Sequence, residues 1–165
     1  QSIPDLAKYA KDFNGEIIGI DPGAGLMAAS DRAMDVYGRS NLNLIDGSDA
    51  AMAAALDRAI TRNEPIVVTS WRPHWMWAAW ELRYLEDPDN IYGDPDEIDT
   101  LVRKGLKEDH PKAYAVLDAI EVDGDARGAI MVADREDGAD PEANARQWIQ
   151  DHADITSQWL EAAKE

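Results

Sequence analysis

The chain has 165 residues, of which 33 are acidic and 16 are basic, giving a formal net charge of −17. This charge argues against nucleic acids and anionic membranes as partners, because the protein would repel both. Cysteine is absent, which excludes a disulfide framework, a thiolate metal site and a cysteine nucleophile.

Helices and strands alternate through the first 70 residues. In chain order, the pattern predicts a helix over Ile3–Phe13, a strand over Glu16–Ile20, a helix over Leu26–Tyr37, a strand over Leu42–Ile45, a helix over Asp49–Arg62 and a strand over Pro65–Ser70. This alternation predicts a parallel sheet with right-handed crossovers. Ligands of such sheets bind at the carboxyl ends of the strands, so the loops that follow the strands are the candidate binding edge.

The second half of the chain reads as mainly helical. The predicted elements are strands over Leu82–Leu85 and Ile98–Leu106, with a polar loop over Glu86–Pro95 between them, and then helices over His110–Ile120, over Ala126–Arg135 and from Asp140 towards the end. In the last helix, apolar and aromatic residues at helical spacing form one stripe: Trp148, His152, Ile155 and Trp159.

A glycine-rich turn follows the first strand, in the segment Gly19–Met27. Its glycines allow a ligand to approach the backbone, and the N–H groups at the start of the next helix attract anions. No Lys, Ser or Thr follows as in a nucleotide P-loop, so a small carboxylate or a single phosphate suits the turn better. The alternative is a tight turn without a ligand. Asp21 is either a site residue or an ordinary turn aspartate before proline.

Tryptophan is concentrated after the third strand, where residues 71–80 contain four of the six in the chain. Trp71 directly follows the strand, so we predict that its indole face contacts a cationic or apolar ligand. Trp75, Trp77 and Trp80 fall in a predicted helical segment and are interpreted as packing residues.

The histidines, His74, His110 and His152, lie far apart, and no pair has metal-ligand spacing. We therefore predict no metal site. His74 lies near the candidate binding edge and could donate a hydrogen bond there, although a structural role is the commoner one. The chain has no Ser-His-Asp order and no nucleophile elbow. An enzyme using Asp21 and His74 as acid and base is a minor alternative, and no catalytic residue is predicted.

Several strings of the sequence recur together in one family. They are Ile17–Met27, Leu44–Met52, Pro65–Met76, Arg83–Pro88 and Arg103–Gly105. Together they resemble the substrate-binding subunits of ABC importers for glycine betaine, proline betaine and choline. The resemblance extends over nearly the whole chain.

The resemblance implies an α/β fold, a three-layer lobe with a mostly parallel central sheet flanked by helices, as in one lobe of a type II periplasmic-binding-protein clamshell. Members of that family are not enzymes and use no cofactor. They hold a quaternary ammonium in a cage of tryptophans and a carboxylate on backbone N–H groups. Trp71 matches the cage residue of this lobe, and Gly25 and Leu26 match the N–H donors. Ala24 is the only side chain between the two glycines, which favours a betaine over choline.

The strings that carry the other cage tryptophans do not occur in this chain, and its start resembles the segment after the first half of family members. We therefore expect residues 1–165 to be a single ligand-binding lobe, the C-terminal half, with a candidate hinge-crossing segment at 98–106. Arg72 stands where the family commonly has a small or polar residue, and either assists the carboxylate or points to solvent.

The resemblance also implies partners and a location. The expected partners are a quaternary-ammonium ligand, the N-terminal lobe, the membrane subunits of an ABC transporter and a second copy bound through the open cleft face, with no nucleic acid. The expected location is periplasmic, or extracellular and membrane-associated. Choline, carnitine or dimethylsulfoniopropionate as ligand, and a sensory ligand-binding module, remain alternatives.

Overall fold

The computed structural model describes residues 1–38, 40–96 and 98–164. Its strands are β1 (Glu16–Ile18), β2 (Asn43–Ile45) and β3 (Val67–Val68). Its helices are α1 (Leu6–Tyr9), α2 (Gly25–Tyr37), α3 (Asp49–Arg62), α4 (Met76–Ala79), α5 (Leu106–Asp109), α6 (Pro111–Asp118), α7 (Gly124–Ala133), α8 (Pro141–Asp151) and α9 (Ala153–Glu161). Short 3₁₀ turns flank α1, at Ile3–Asp5 and Ala10–Phe13.

The described residues form two compact units. Unit 1 is built from Gln1–Trp71 and Leu82–Pro95, and unit 2 from Arg72–Glu81 and the residues from Asp96 onward. The expectation that residues 1–165 form a single lobe stays a prediction, as does the hinge-crossing role of segment 98–106.

Unit 1 contains a parallel sheet in the order β2-β1-β3. Ile17 of the central strand pairs with Leu44 on one side and with Val67 on the other. Two helical crossovers, α2 and α3, connect the three strands, which confirms the predicted parallel α/β architecture flanked by helices. Since β1 is central and the chain turns to opposite sides of it, the carboxyl end of β1 is where this fold type usually binds ligands.

An apolar cluster packs against one face of this sheet. Its buried members are Leu6, Ala10, Phe13, Ile17, Met34 and Leu42, and half-buried Ile3, Leu44, Val67 and Leu85 pack around them. The cluster joins the first helical segment, the sheet and α2. Burying apolar side chains of this size contributes roughly 1.5–3 kcal/mol each, so the cluster is what fixes α2 on the sheet.

Unit 2 is helical in its described part. Helix α4 packs on α7, where Gly128 allows close approach to Ala78, and Met76 is fully buried. Two guanidinium groups lie over indole rings, Arg135 at 3.4 Å from the centre of Trp75 and Arg72 at 4.5 Å from Trp77. Such cation–π contacts contribute about 0.5–2 kcal/mol. The interpretation of Trp75 and Trp77 as packing residues agrees with this arrangement.

Three predicted elements of the second half were wrong. Residues 82–85 form no strand, and only an isolated bridge joins Ser2 to Glu86. Residues 98–103 are also irregular where a strand was predicted, because they pair with no neighbouring strand. The side chain of Leu101 is not buried there, and this residue is 93% exposed. The final helix breaks at His152 into α8 and α9. Across the described ranges, every helix is too short or too polar to cross a membrane.

Candidate functional site

The N-terminus of α2 forms one side of the candidate site. The turn before it is closed by the Ala24 N–H, which donates to the Asp21 carbonyl at 2.9 Å. Ala24 is the N-cap residue and offers no side-chain cap, and the first turn holds no acidic residue. Within the described residues, the N–H groups of Gly25 and Leu26 donate no hydrogen bond. The positive end of a 13-residue helix is therefore open to an anion.

Trp71 stands at the same edge of the sheet. Strand β3 lies beside β1, and beyond the strand the Thr69 N–H still donates to the Ile18 carbonyl at 2.9 Å. Since the strands are parallel, the segments that follow β1 and β3 leave the sheet at one edge. Trp71 is half-buried, so part of its indole is accessible.

The floor of the turn is formed by Gly19 and Met27. Met27 is buried, and its sulfur accepts a hydrogen bond from the Ile20 N–H at 3.3 Å. A Cβ on Gly19 would lie 2.5 Å from the end of the Met27 side chain and 2.9 Å from the Ile45 carbonyl oxygen. The close approach of the turn to α2 therefore requires glycine at position 19.

The other predicted site residues occupy different settings. Asp21 is exposed, and its backbone carbonyl closes the turn. His74 belongs to unit 2, where it is 3% exposed and its Nδ1 accepts the Met76 N–H at 3.3 Å. Arg72 also belongs to unit 2, where it lies over Trp77 and within 3.9 Å of the Asp125 carboxylate. Unit 1 thus contains Asp21, Ala24, Gly25, Leu26 and Trp71, which all lie in segments that follow the carboxyl ends of β1 and β3.

Two tyrosines attach helix α2 to the loop 86–95. The Tyr92 hydroxyl donates to Ser30 at 3.0 Å, and the Ser30 hydroxyl donates to the Leu26 carbonyl at 2.8 Å. At the other end of the helix, the Tyr37 hydroxyl donates to the Asp87 carboxylate. These two hydrogen bonds connect Tyr92 through Ser30 to Leu26, one of the two residues with an N–H group at the candidate site. They therefore hold the first turn of the helix in place.

Burial sets the acid–base behaviour of both tyrosines. Burial, and then the hydrogen bond to Asp87, raises the pKa of Tyr37. Burial likewise raises the pKa of Tyr92, which the bond to Ser30 opposes. Both hydroxyls therefore stay protonated at neutral pH and act as donors.

Sequence reasoning missed three residues of this region: Ser30, Thr69 and Tyr92. Ser30 and Tyr92 are 62 positions apart, so no local pattern connects them. Thr69 gave one usable signal, since strand alternation places it on the same side of β3 as the core residue Val67. No group of three or more histidines and carboxylates in the described part of the chain is arranged to hold a metal ion.

Comparison with known proteins gives one consistent family. The family described as the substrate binding domain of ABC-type glycine betaine transport systems matches residues 1–151. A binding protein of Listeria monocytogenes, the glycine betaine/carnitine transport binding protein GbuC, is 41% identical over 156 residues, covering 93% of this chain and 52% of that protein. The chain therefore spans about half the length of this relative.

Solved structures of the same kind share the fold. Lactococcal OpuAC, in its closed form with glycine betaine, superposes with a TM-score of 0.77 at 40% identity, covering 97% of this chain and 62% of that one. The glycine betaine/L-proline-binding protein ProX of Borrelia burgdorferi gives a TM-score of 0.75 at 32% identity, covering 99% and 63%. Sequence and fold agree along almost the whole chain, which belongs to the family of substrate-binding domains of ABC-type glycine betaine transport systems.

Proposed function

We propose that this chain contributes one side of a binding site for glycine betaine or a closely similar betaine, taken up by an ABC importer. The observation that carries the proposal is the open N-terminus of α2 at the sheet edge where Trp71 leaves β3. A betaine has a carboxylate at one end and a quaternary ammonium at the other. The two features of the edge suit these two ends.

The carboxylate suits the start of α2. The N–H groups of Gly25 and Leu26 are donors without a partner among the described residues, and neither a side-chain cap nor an acidic residue competes for them. Hydrogen bonds to a charged acceptor contribute roughly 1.5–3 kcal/mol each. The helix dipole favours the anion by a further 0.3–1 kcal/mol, approximately.

The quaternary ammonium suits Trp71. A trimethylammonium group has no N–H, so hydrogen bonds cannot hold it, whereas an indole face attracts it by about 0.5–2 kcal/mol when water is excluded. One indole and one anion site leave an affinity of order millimolar, which corresponds to roughly −4 kcal/mol. The remaining cage residues belong, on this proposal, to the part of its relatives that the chain does not span.

The turn favours a betaine over choline. Choline carries a hydroxyl in place of the carboxylate and therefore gains no charge-assisted bond from the N–H groups of Gly25 and Leu26. The side chains that the turn could offer it include the methyl group of Ala24 and the exposed carboxylate of Asp21. Carnitine has both charged groups and remains compatible with this site.

His74 is a further candidate contact. Its direct contact with ligand is a proposal, as is the role of Asp21.

Titration of this chain with glycine betaine tests the function. Backbone amide NMR shifts should move in a saturable way at millimolar ligand, with the largest changes at Gly25 and Leu26. Trp71→Ala should abolish saturation up to about 100 mM. Trp159→Ala is a matched control, because this half-buried tryptophan of α9 lies in unit 2 and packs on Trp148. Equal loss in both variants, or no saturation in the original chain, contradicts the proposal.

The wider role follows from the same proposal. Delivery of the ligand to the membrane subunits of an ABC importer places the protein outside the cytoplasmic membrane, in the periplasm or on the cell surface. The homodimer expected from sequence stays a prediction, and a concentration series by sedimentation velocity checks it.

A further inference from the structure

Thr69 has a buried hydroxyl without a hydrogen-bond partner. The residue is 5% exposed, and its Oγ1 contacts no donor or acceptor in the described part of the chain. Its backbone is satisfied, since its N–H donates to the Ile18 carbonyl. Buried polar groups are nearly always paired, so an orphaned hydroxyl requires an explanation.

The hydroxyl lies on the side of the sheet that α2 covers. Strand alternation places Thr69 on the same face as Val67, which packs into the cluster containing Met34 of α2. On the neighbouring strand, Gly19 lies on this face too, and it contacts Met27 in the first turns of the helix. Thr69 therefore follows Val67 along β3 towards the N-terminal end of α2.

The neighbouring hydroxyls of this region are already engaged. Ser30 donates to the Leu26 carbonyl and accepts from Tyr92. Ser48 accepts the Ala51 N–H at the start of α3. Thr69 thus differs from both, because its hydroxyl neither donates nor accepts a hydrogen bond within the described residues. The N-terminus of α2, at the same edge of the sheet, likewise has two N–H groups without a partner among these residues.

We propose that Thr69 is a specificity-determining residue whose hydroxyl donates to the ligand carboxylate, directly or through one water. This inference rests on the proposed function. A carboxylate has about four lone-pair positions, and the N–H groups of Gly25 and Leu26 use two of them. The Thr69 hydroxyl supplies a third donor from the adjacent strand, so a ligand without a carboxylate leaves a buried donor unpaired and is selected against.

The test uses Thr69→Val, which keeps the shape and removes the hydroxyl, and Thr69→Ser, which keeps the hydroxyl. Thr69→Val should weaken glycine betaine binding about tenfold, the cost of one charge-assisted hydrogen bond, and leave tetramethylammonium binding unchanged. Thr69→Ser should stay close to the original chain for both ligands. Without ligand, Thr69→Val should raise the melting temperature, since it replaces an unpaired buried hydroxyl with a methyl group.

The outcomes separate this inference from the proposed function. If the original chain binds glycine betaine and Thr69→Val binds it equally well, the role of Thr69 is wrong and the function stands. A melting temperature lowered by Thr69→Val also overturns the inference, because it indicates a hydroxyl paired inside the protein. If the original chain does not bind glycine betaine at all, the proposed function fails, and the carboxylate role of Thr69 fails with it.

Discussion

Helices α2 and α3 start at the same edge of one sheet but are held in different ways. Helix α3 is stabilised at both of its ends by residues of its own segment. The Ser48 side chain caps its first turn, which also holds the acidic residue Asp49, and Asn63 ends the helix in a left-handed conformation. Helix α2 begins at Ala24 with neither a cap nor an acid. It is held instead through the Tyr92 and Tyr37 hydroxyls, on its side and at its far end.

The difference shows how a fold can keep donors available for a ligand. Omitting a cap costs about 1 kcal/mol of stability. In α2, contacts away from the N-terminus offset this cost, so the first turn stays ordered while its N–H groups remain accessible. Helix α3 has no comparable constraint and is stabilised in the usual way.

The largest expected effect concerns the two glycines that precede these helices. Gly19→Ala should lower the free energy of unfolding by about 3 kcal/mol, because the new Cβ would overlap Met27 and the backbone oxygen of Ile45. At Gly47, on the α3 side, a new Cβ would lie 3.3 Å from the Gly19 carbonyl oxygen and 3.9 Å from the Ala51 Cβ. Gly47→Ala should therefore cost roughly 1 kcal/mol or less. Urea unfolding of both variants measures the difference. Equal losses of unfolding free energy would show that the space at Gly19 is no more restricted than the space at Gly47.

The next effect comes from giving α2 the cap that α3 has. Ala24→Asp should stabilise the folded chain by about 1 kcal/mol, because the new side chain caps α2. It should also weaken glycine betaine binding by roughly tenfold or more, because the carboxylate of the new aspartate competes with the ligand for the N–H groups of Gly25 and Leu26. Thermal unfolding and ligand titration on one sample give both values. Unchanged binding with increased stability would mean that the ligand carboxylate lies elsewhere.

Removing the cap of α3 should have a smaller and purely structural effect. Ser48→Ala should lower the free energy of unfolding by about 1 kcal/mol, since the Ala51 N–H loses its acceptor. Ligand binding should not change. Ser48→Asn is the control, because it restores a capping side chain; a loss of binding in Ser48→Ala would place α3 within the site.

The smallest effect is a pH dependence carried by the contacts that hold α2. The pKa of Tyr37 and of Tyr92 is raised in the folded protein, so folding favours their protonated forms. Their contribution to stability is complete below the unfolded pKa of about 10 and is lost as the pH rises through the folded values. Replacing both by Phe should flatten the fall in urea midpoint between about pH 8 and about pH 11. A fall equally steep in the double variant would refute this origin.

The first 70 residues could be predicted well from sequence because their signals are local. Apolar runs, the Ser48 cap and glycines at helix ends predicted α3 with its observed bounds, Asp49–Arg62. The same signals predicted both ends of α2 to within one residue. Strand β3 was predicted too long, since only Val67 and Val68 pair with the central strand. The strands predicted at 82–85 and 98–106 were wrong, because a local run of apolar side chains does not reveal whether a partner strand exists.

The site was predictable only in part. Glycines and a tryptophan after strands mark Gly25, Leu26 and Trp71, since these residue types are unusual at such positions. Contacts that connect distant segments leave no local pattern, so Tyr92 and Ser30 became visible only in the folded chain. Thr69 looks like an ordinary strand residue until its burial and missing partner are seen together.

Neither compact unit is continuous along the chain, which matters for synthesis. The ribosome adds about 5–20 residues per second, so α2 emerges well before the loop that carries Asp87 and Tyr92. The packing of helix α4 is delayed for longer, because its packing partner α7 begins only at Gly124 and is synthesised later. Until then Trp75 and Met76, both buried in the folded protein, are exposed on the nascent chain. A nascent chain that pauses between α4 and α7 therefore presents a short aromatic segment to chaperones.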